Sequence, residues 1–446
     1  MPRHTDTIAA LATPVGTSAL AVIRVSGPDT ERIMSALWGG PPLPREMRRG
    51  DYRDIGGKIL DDVLYVFFRA PHSYTGEDSL EISCHGNPFI SQRIVEDLLV
   101  RGACTPEPGE FTKRAFLNGR MDLSQAEAVM DLIHARSERA IEAANRQLRG
   151  SLSRRMEELI RLLTAVVAEI EAYIDFPEED LPAEDFARIE RGLDSVIRET
   201  SDLRATGKYG DLLRNGIKTV IVGAPNVGKS SLLNRLVGHD RALVSEEPGT
   251  TRDYIEESIV IGNYCFRLID TAGLNTSPQP LERLGMSKAM ARLSDSDLIV
   301  IVADVSNIDA PIPAELRDVG RGNVIRVVSK IDLAPPSFHI PPGWIGVSAL
   351  TGIGVDLLRA TLAGKIDGLC ESLDEESVAI NARHSHALDQ ALEALNSVNS
   401  QLANNESAEL IASNLRSAIA AFEEIAGKVD NEVILDELFR RFCIGK

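Results

Sequence analysis

Cysteine is scarce. Cys84, Cys104, Cys265, Cys370 and Cys443 are scattered through 446 residues, and no two form a CxxC pair. That excludes a disulfide framework and a structural zinc site and suits a reducing cytosol. Long apolar runs are lacking too. No uninterrupted stretch reaches the roughly eighteen residues of a membrane span, so a cytoplasmic chain without a membrane partner is expected. Residues 8–25 only faintly imitate a signal sequence, because Thr13, Pro14, Gly16, Thr17 and Ser18 interrupt them and Asp6 spoils the charged start. Positive charge is in deficit: 48 Lys and Arg face 66 Asp and Glu, for a net charge of −18. A global basic field for nucleic acid is thereby excluded, and any RNA contact needs a local patch or a partner. No internal repeat and no long low-complexity run is present, which excludes a solenoid.

What is present suits ordinary cores: 43% of the residues are apolar. The length allows about two to four domains. Residues 1–118 read as a small α+β domain, with strands near 19–25, 63–68 and 80–83 and a helix over 91–101. Residues 122–175 carry apolar residues at helical spacing, with Gly150 dividing two helices. Another helix is expected over 183–203, and helical pattern resumes at 381–402, 407–426 and 431–442. Such stripes need partners to cover them. The economical arrangement is one all-α domain, 119–215 with 367–446, interrupted by a nucleotide domain at 216–366. Insertion of that kind is tolerated where the two junctions lie close together at a surface.

The inserted segment holds the chemistry. An apolar β-branched run, Val220, Ile221 and Val222, ends at Gly223; Gly228, Lys229 and Ser230 follow, and then Leu232, Leu233 and Leu236 at helical spacing. This is strand, loop and helix with G-x-x-x-x-G-K-S in the loop. The glycines let backbone N–H groups surround phosphate oxygens, and the helix N-terminus adds its positive end. Lys229 suits the β- and γ-phosphates and Ser230 suits Mg²⁺. Downstream, Ser245, Glu246, Glu247, Pro248, Gly249, Thr250 and Thr251 form a polar loop that triphosphate can order. Thr251 is the first choice for a metal ligand and Thr250 the alternative on spacing. A hairpin at 255–261 and 264–269 delivers Asp270, Thr271, Ala272 and Gly273. The carboxylate of Asp270 belongs near the metal, and the Gly273 N–H near the γ-phosphate. Buried strands at 298–303 and 324–328 follow, the second leading to Ser329, Lys330 and Asp332. A carboxylate there accepts both guanine N–H protons, which adenine does not offer. Strand 344–347 leads to Ser348, Ala349 and Leu350, a loop suited to guanine O6. With Asn226, Val227 and Ser231 from the first loop, these residues specify a Ras-like α/β GTP-binding domain with a mostly parallel sheet.

The position where Ras-like proteins orient water with Gln holds Leu274, and no motif marks an arginine finger. Another polar group and another positive charge are needed. Glu282 is a candidate for ordering water; a solvated first-turn glutamate looks the same. The amide oxygen of Asn226 is a candidate for holding a monovalent cation beside the phosphates; a loop-shaping asparagine looks the same.

These residues, with others far outside any generic GTPase, resemble the tRNA modification GTPases of the MnmE (TrmE) family. The likeness runs through residues 6–14, 23–27, Tyr74-Thr-Gly-Glu-Asp78, residues 109–118, Asp122-Leu-Ser-Gln-Ala-Glu127, the nucleotide motifs and Phe442-Cys-Ile-Gly-Lys446. It implies an N-terminal domain over 1–118 that dimerises and binds 5-formyl- or methylene-tetrahydrofolate. It also implies a homodimer that works with a FAD-dependent partner, MnmG (GidA), on carbon 5 of the tRNA wobble uridine. By motif match, K⁺ would lie among Asn226, Ser245, Glu247 and Thr250, and Mg²⁺ between Ser230 and Thr251. Glu282 would order water; Lys229 and Thr251 complete the catalytic set. Arg24, Glu81, Arg120 and Lys446 match the folate positions. Their chemistry fits, since a pterin offers N–H donors to a carboxylate and a glutamate tail attracts Arg or Lys. Cys443 is a candidate nucleophile or general acid near the one-carbon unit, though a free cysteine is more often a small hydrophobe.

Two departures from the family pattern stand out. Ser329 replaces the usual Asn, and its shorter reach toward base and phosphate loop predicts weaker guanine affinity. The first loop, Gly16-Thr-Ser-Ala-Leu-Ala, is poorer in glycine than usual. A cluster of Arg136, Arg139, Arg146, Arg149, Arg154 and Arg155 could face RNA, but interspersed Glu138 and Glu142 favour a solvated face. A second functional class stays open: a regulatory or ribosome-assembly GTPase whose flanking domains only bind. Folate binding discriminates the two.

Overall fold

The computed structural model describes residues 6–40, 43–175, 183–239, 256–270, 296–308, 323–369, 378–404 and 406–427, with 435, 438–440, 442 and 445 in the tail. The chain forms two compact units. One comprises Met1–Met130, Gln147–Val196 and Gln390–Lys446, the other Asp131–Arg146 and Ile197–Asp389.

The first unit holds an antiparallel sheet of β1 (Ile8–Leu11), β2 (Leu20–Ser26), β3 (Arg48–Arg53), β4 (Ile59–Phe68) and β5 (Ser79–His85), in the order β1-β2-β5-β4-β3. Alternation sends Ile23, Val25, Leu80 and Ile82 into a core with Tyr52, Phe67, Ile94 and Leu98. The sequence pattern does not reveal β3, because an edge strand reading Arg-Arg-Gly-Asp-Tyr-Arg buries only Tyr52. The short β1 was hidden inside the signal-like segment.

The expected pair of helices over 122–175 is three: Leu123–His134, Glu138–Leu148 and Ser151–Asp175. The additional break comes at Ser137, whose hydroxyl accepts from Ala140 N at 3.3 Å and so caps a new helix. Gly150 makes the other break with φ +77°. The first helix opens with a reciprocal cap: Asp122 Oδ1 accepts from Gln125 N, and Gln125 Oε1 accepts from Asp122 N, each at 2.9 Å. Ser153 Oγ donates to the other Asp122 oxygen at 2.6 Å. The Asp122–Glu127 motif thus starts the first helix and ties it to the third. Helix Ala408–Ala426 packs on Ser151–Asp175, burying Leu415, Ala418 and Phe422. The tail also returns to this unit. Phe439 and Phe442 pack with Leu123 and Ala126. Gly445 lies so near the end of β1 that a Cβ would sit 2.1 Å from Leu11 O.

The second unit holds β6 (Ile217–Val222), β7 (Glu256–Ile261), β8 (Tyr264–Asp270), β9 (Leu298–Asp304), β10 (Val324–Ser329) and β11 (Trp344–Gly346), ordered β11-β10-β9-β6-β8-β7. All neighbours are parallel except the β7–β8 hairpin. β9 is buried over six successive residues, as a strand covered on both faces must be. Helices Lys229–His239 and Val355–Leu369 bring Leu232, Leu236, Leu358 and Leu362 to the core. Two distant stretches of this unit, near 206–210 and 378–380, run in contact. Thr206 Oγ1 donates to Val378 O at 2.7 Å, and a Cβ on Gly210 would lie 2.1 Å from Ile380 O. Among the described residues no helix is long and apolar enough to cross a membrane.

Candidate functional site

Parallel strands share one direction, so the C-terminal ends of β6, β8, β9, β10 and β11 lie at one edge of the sheet. Gly223 begins the first loop. A side chain there would place Cβ 2.2 Å from Val302 O on β9, so only glycine lets this loop lie across the sheet. Asn226 takes φ +63° and Gly228 φ +94°. Between them Val227 is buried and anchors the loop in the core. Lys229 opens the helix, and Nζ donates to Gly223 O and Ala224 O, each at 2.9 Å. Its ammonium is therefore drawn back over the loop. Ser230 and Ser231 are exposed in the first helical turn.

Ser329 corrects the sequence expectation in one respect. Its hydroxyl does reach the phosphate loop: Oγ donates to Val227 O at 2.5 Å and lies 3.1 Å from Ala303 O. Lys330 takes φ +57°, and Nζ donates to Asn226 O at 2.8 Å and to Asp304 Oδ2 at 2.6 Å. Asp332 is exposed in the short turn Ile331–Leu333. Ser348 is fully buried and closes the last loop: its N–H donates to Ile353 O, and its hydroxyl accepts from Thr351 N at 3.1 Å. That closure turns Ala349 and Leu350 outward, Leu350 being 82% exposed.

Asp304 escaped the sequence reading. Partial burial works to raise its pKa, but Lys330 and the N–H and hydroxyl of Ser306 outweigh it and hold the carboxyl below its ordinary value. The available signal was its place: like Asp270, it is an acid ending a buried strand. Asp270 ends β8 beside Ile221 of β6. Ser245, Glu246, Glu247, Pro248, Gly249, Thr250, Thr251, Thr271, Ala272, Gly273 and Glu282 lie outside the described residues, as do Cys443 and Lys446.

A second constellation lies in the antiparallel sheet. Register sets Arg24 of β2 opposite Glu81 of β5. Arg24 Nε and Nη2 both donate to Glu81 Oε1, at 3.0 and 2.7 Å. Among the described residues, Glu81 Oε2 accepts no hydrogen bond and Arg24 Nη1 donates none. A carboxylate oxygen and a guanidinium nitrogen therefore remain unused at this partly exposed pair. The guanidinium lies 4.9 Å from the Tyr74 ring centroid and 5.8 Å from that of Phe111. Tyr74 OH and Thr112 Oγ1 are 2.9 Å apart. Burial pushes the Tyr74 phenol up, against the lowering effects of that hydrogen bond and of Arg24.

Beneath these rings Arg114, 1% exposed, donates to Glu110 at 2.6 Å, to Glu77 at 3.2 Å and to Asp6 O at 2.7 Å. Ser26 Oγ donates to Glu77 Oε2 at 2.7 Å. The 74–78 and 109–118 motifs are thus one buried ionic junction. Arg120 is exposed, its stem 3.2 Å from the Cβ position of Gly76.

Two family profiles match: "MnmE helical domain" over residues 123–443 and "GTP-binding protein TrmE N-terminus" over residues 7–120. The tRNA modification GTPase MnmE of Opitutus terrae is 56% identical over 452 residues, with 100% of each chain covered. That of Akkermansia muciniphila is 43% identical over 450 residues, with 99% of each covered. Among solved structures, the G domain of the T. maritima FeoB iron transporter is 26% identical and covers 34% of this chain and 98% of that one, with a TM-score of 0.25. A superposition that low carries no weight; strand order and full-length similarity do. With the phosphate loop, the guanine-side loops and the N-terminal domain all accounted for, the chain belongs to the family of the tRNA modification GTPase MnmE.

Proposed function

We propose that the chain is a cytoplasmic, potassium-stimulated GTPase that uses a one-carbon tetrahydrofolate to modify carbon 5 of the wobble uridine of certain tRNAs. Its partners in this scheme are a second copy of itself and a FAD-dependent protein of the MnmG (GidA) type. The working division is residues 1–118 for folate and dimerisation, 119–215 with 367–446 as the helical domain and 216–366 as the GTP-binding domain. One observation favours a folate-using enzyme over a regulatory GTPase: Arg24 and Glu81 are held in register, while Arg24 Nη1 and Glu81 Oε2 make no hydrogen bond among the described residues. A binding module with no small-molecule task has no need of such a pair. Arg120 and Lys446 would hold the glutamate tail, and Cys443 is the candidate for chemistry at the one-carbon unit.

At the other site, bound GTP supplies the phosphoanhydride to be cleaved. Lys229 would exchange its carbonyl partners for phosphate oxygens, and the Ser230 hydroxyl, with Thr251, would hold Mg²⁺. Asn226, with Ser245, Glu247 and Thr250, would hold K⁺ where other GTPases place an arginine, while Glu282 orders water. The test is the GTPase rate of the full chain in KCl and in NaCl. About a tenfold higher rate in KCl is expected, equivalent to roughly 1.4 kcal/mol of barrier. Asn226→Ala should remove the difference. Equal rates in both salts would refute the potassium proposal.

A further inference from the structure

We infer that Asp304 is a positioning residue for guanine-nucleotide recognition, acting through Lys330. The inference rests on the guanine-nucleotide assignment and names how its platform is held.

Lys330 leaves the end of β10 in a left-handed conformation, and its stem crosses the phosphate loop: Cε lies 3.8 Å from the Cβ position of Gly228. The ammonium ends between two acceptors, Asn226 O and Asp304 Oδ2. The side chain is 37% exposed, so one side of an extended methylene stem remains open beside the loop that carries Asp332 and near Ser329. A planar base stacks on such a stem only while its charged end stays anchored.

The carbonyl supplies a partial charge, whereas the carboxylate supplies a full one at 2.6 Å. Asp304 is itself fixed. Oδ1 accepts from Ser306 N at 2.9 Å and lies 3.0 Å from Ser306 Oγ, and register sets the residue opposite Ser329. One oxygen thus belongs to the turn and the other to the lysine. Without the second contact the ammonium gains more from water than from a single carbonyl, and the stem leaves the loop.

The experiment is a double-mutant cycle on the full chain, read by the affinity of mant-GDP, with thermal melting in parallel. Asp304→Asn should weaken mant-GDP binding about tenfold, the scale of one charge-assisted hydrogen bond. Lys330→Met, which keeps the stem and removes the charge, should weaken it comparably. In the Lys330→Met background, Asp304→Asn should cost less than about twofold, because the route of its effect is gone. Ser306→Ala, which disturbs only the turn, should leave affinity within about twofold. If Asp304→Asn binds mant-GDP as the unmodified chain does, the inference falls. It falls equally if the substitution costs the same with or without Lys330, since Asp304 would then act through the turn. Failure of the unmodified chain to bind mant-GDP would be a different result, overturning the guanine assignment itself.

Discussion

The two sheets place their chemistry in opposite ways. In the parallel sheet it lies at the strand ends: β8, β9 and β10 finish at one edge on Asp270, Asp304 and Ser329, and β6 hands over to Gly223. In the antiparallel sheet it lies within the strands, where register sets Arg24 opposite Glu81, 57 residues apart in sequence. A loop site is written in consecutive residues, because a turn around phosphate must be made by neighbours. A register site is written in no continuous stretch, because its members meet only once the strands have paired. The first kind can be read from sequence by chemistry, the second only by resemblance.

The sharpest way to break this comparison is at the phosphate loop. Lys229→Ala should lower the GTPase rate by about 10² to 10³, the cost of removing one positioned donor from a phosphoryl-transfer site. Steady-state phosphate release measures it. Because the carbonyls that Nζ bridges belong to the exposed residues Gly223 and Ala224, where water can replace it, thermal melting should barely move. A large fall in melting temperature with little loss of rate would make the loop a structural turn.

A smaller effect sharpens the other half. Arg114→Met removes the cation from a junction that joins Glu77 and Glu110 behind Tyr74 and Thr112. Leaving two carboxylates there without their partner should cost about 3 kcal/mol, read as early unfolding of the N-terminal sheet in urea. Folate affinity should drop with it, while the potassium-stimulated GTPase rate stays within about twofold. An unchanged urea profile would show that the junction does not hold the register site.

Legibility followed the same division. The hairpin 256–261 and 264–270 and the strands 298–304 and 324–329 fell within a residue or two of expectation. Buried apolar residues recur along all of them, continuously in β9, so the apolar runs announce them. What stayed hidden was set by distant partners. Strand β3 is charged because it is an edge, and the break at Ser137 depends on one hydroxyl among helical neighbours. The reach of Ser329 to Val227 O follows from how close β10 brings the two loops, which no residue count gives. Asp304 was overlooked because its role exists only beside Lys330.

The most direct test of a register-built vitamin site in a GTPase is titration calorimetry of the full chain with 5-formyltetrahydrofolate. Saturable heat at about one ligand per chain is the expected result, lost in Glu81→Ala, which removes the proposed acceptor for pterin N–H groups. A flat titration of the unmodified chain, or one that Glu81→Ala leaves intact, would contradict the account.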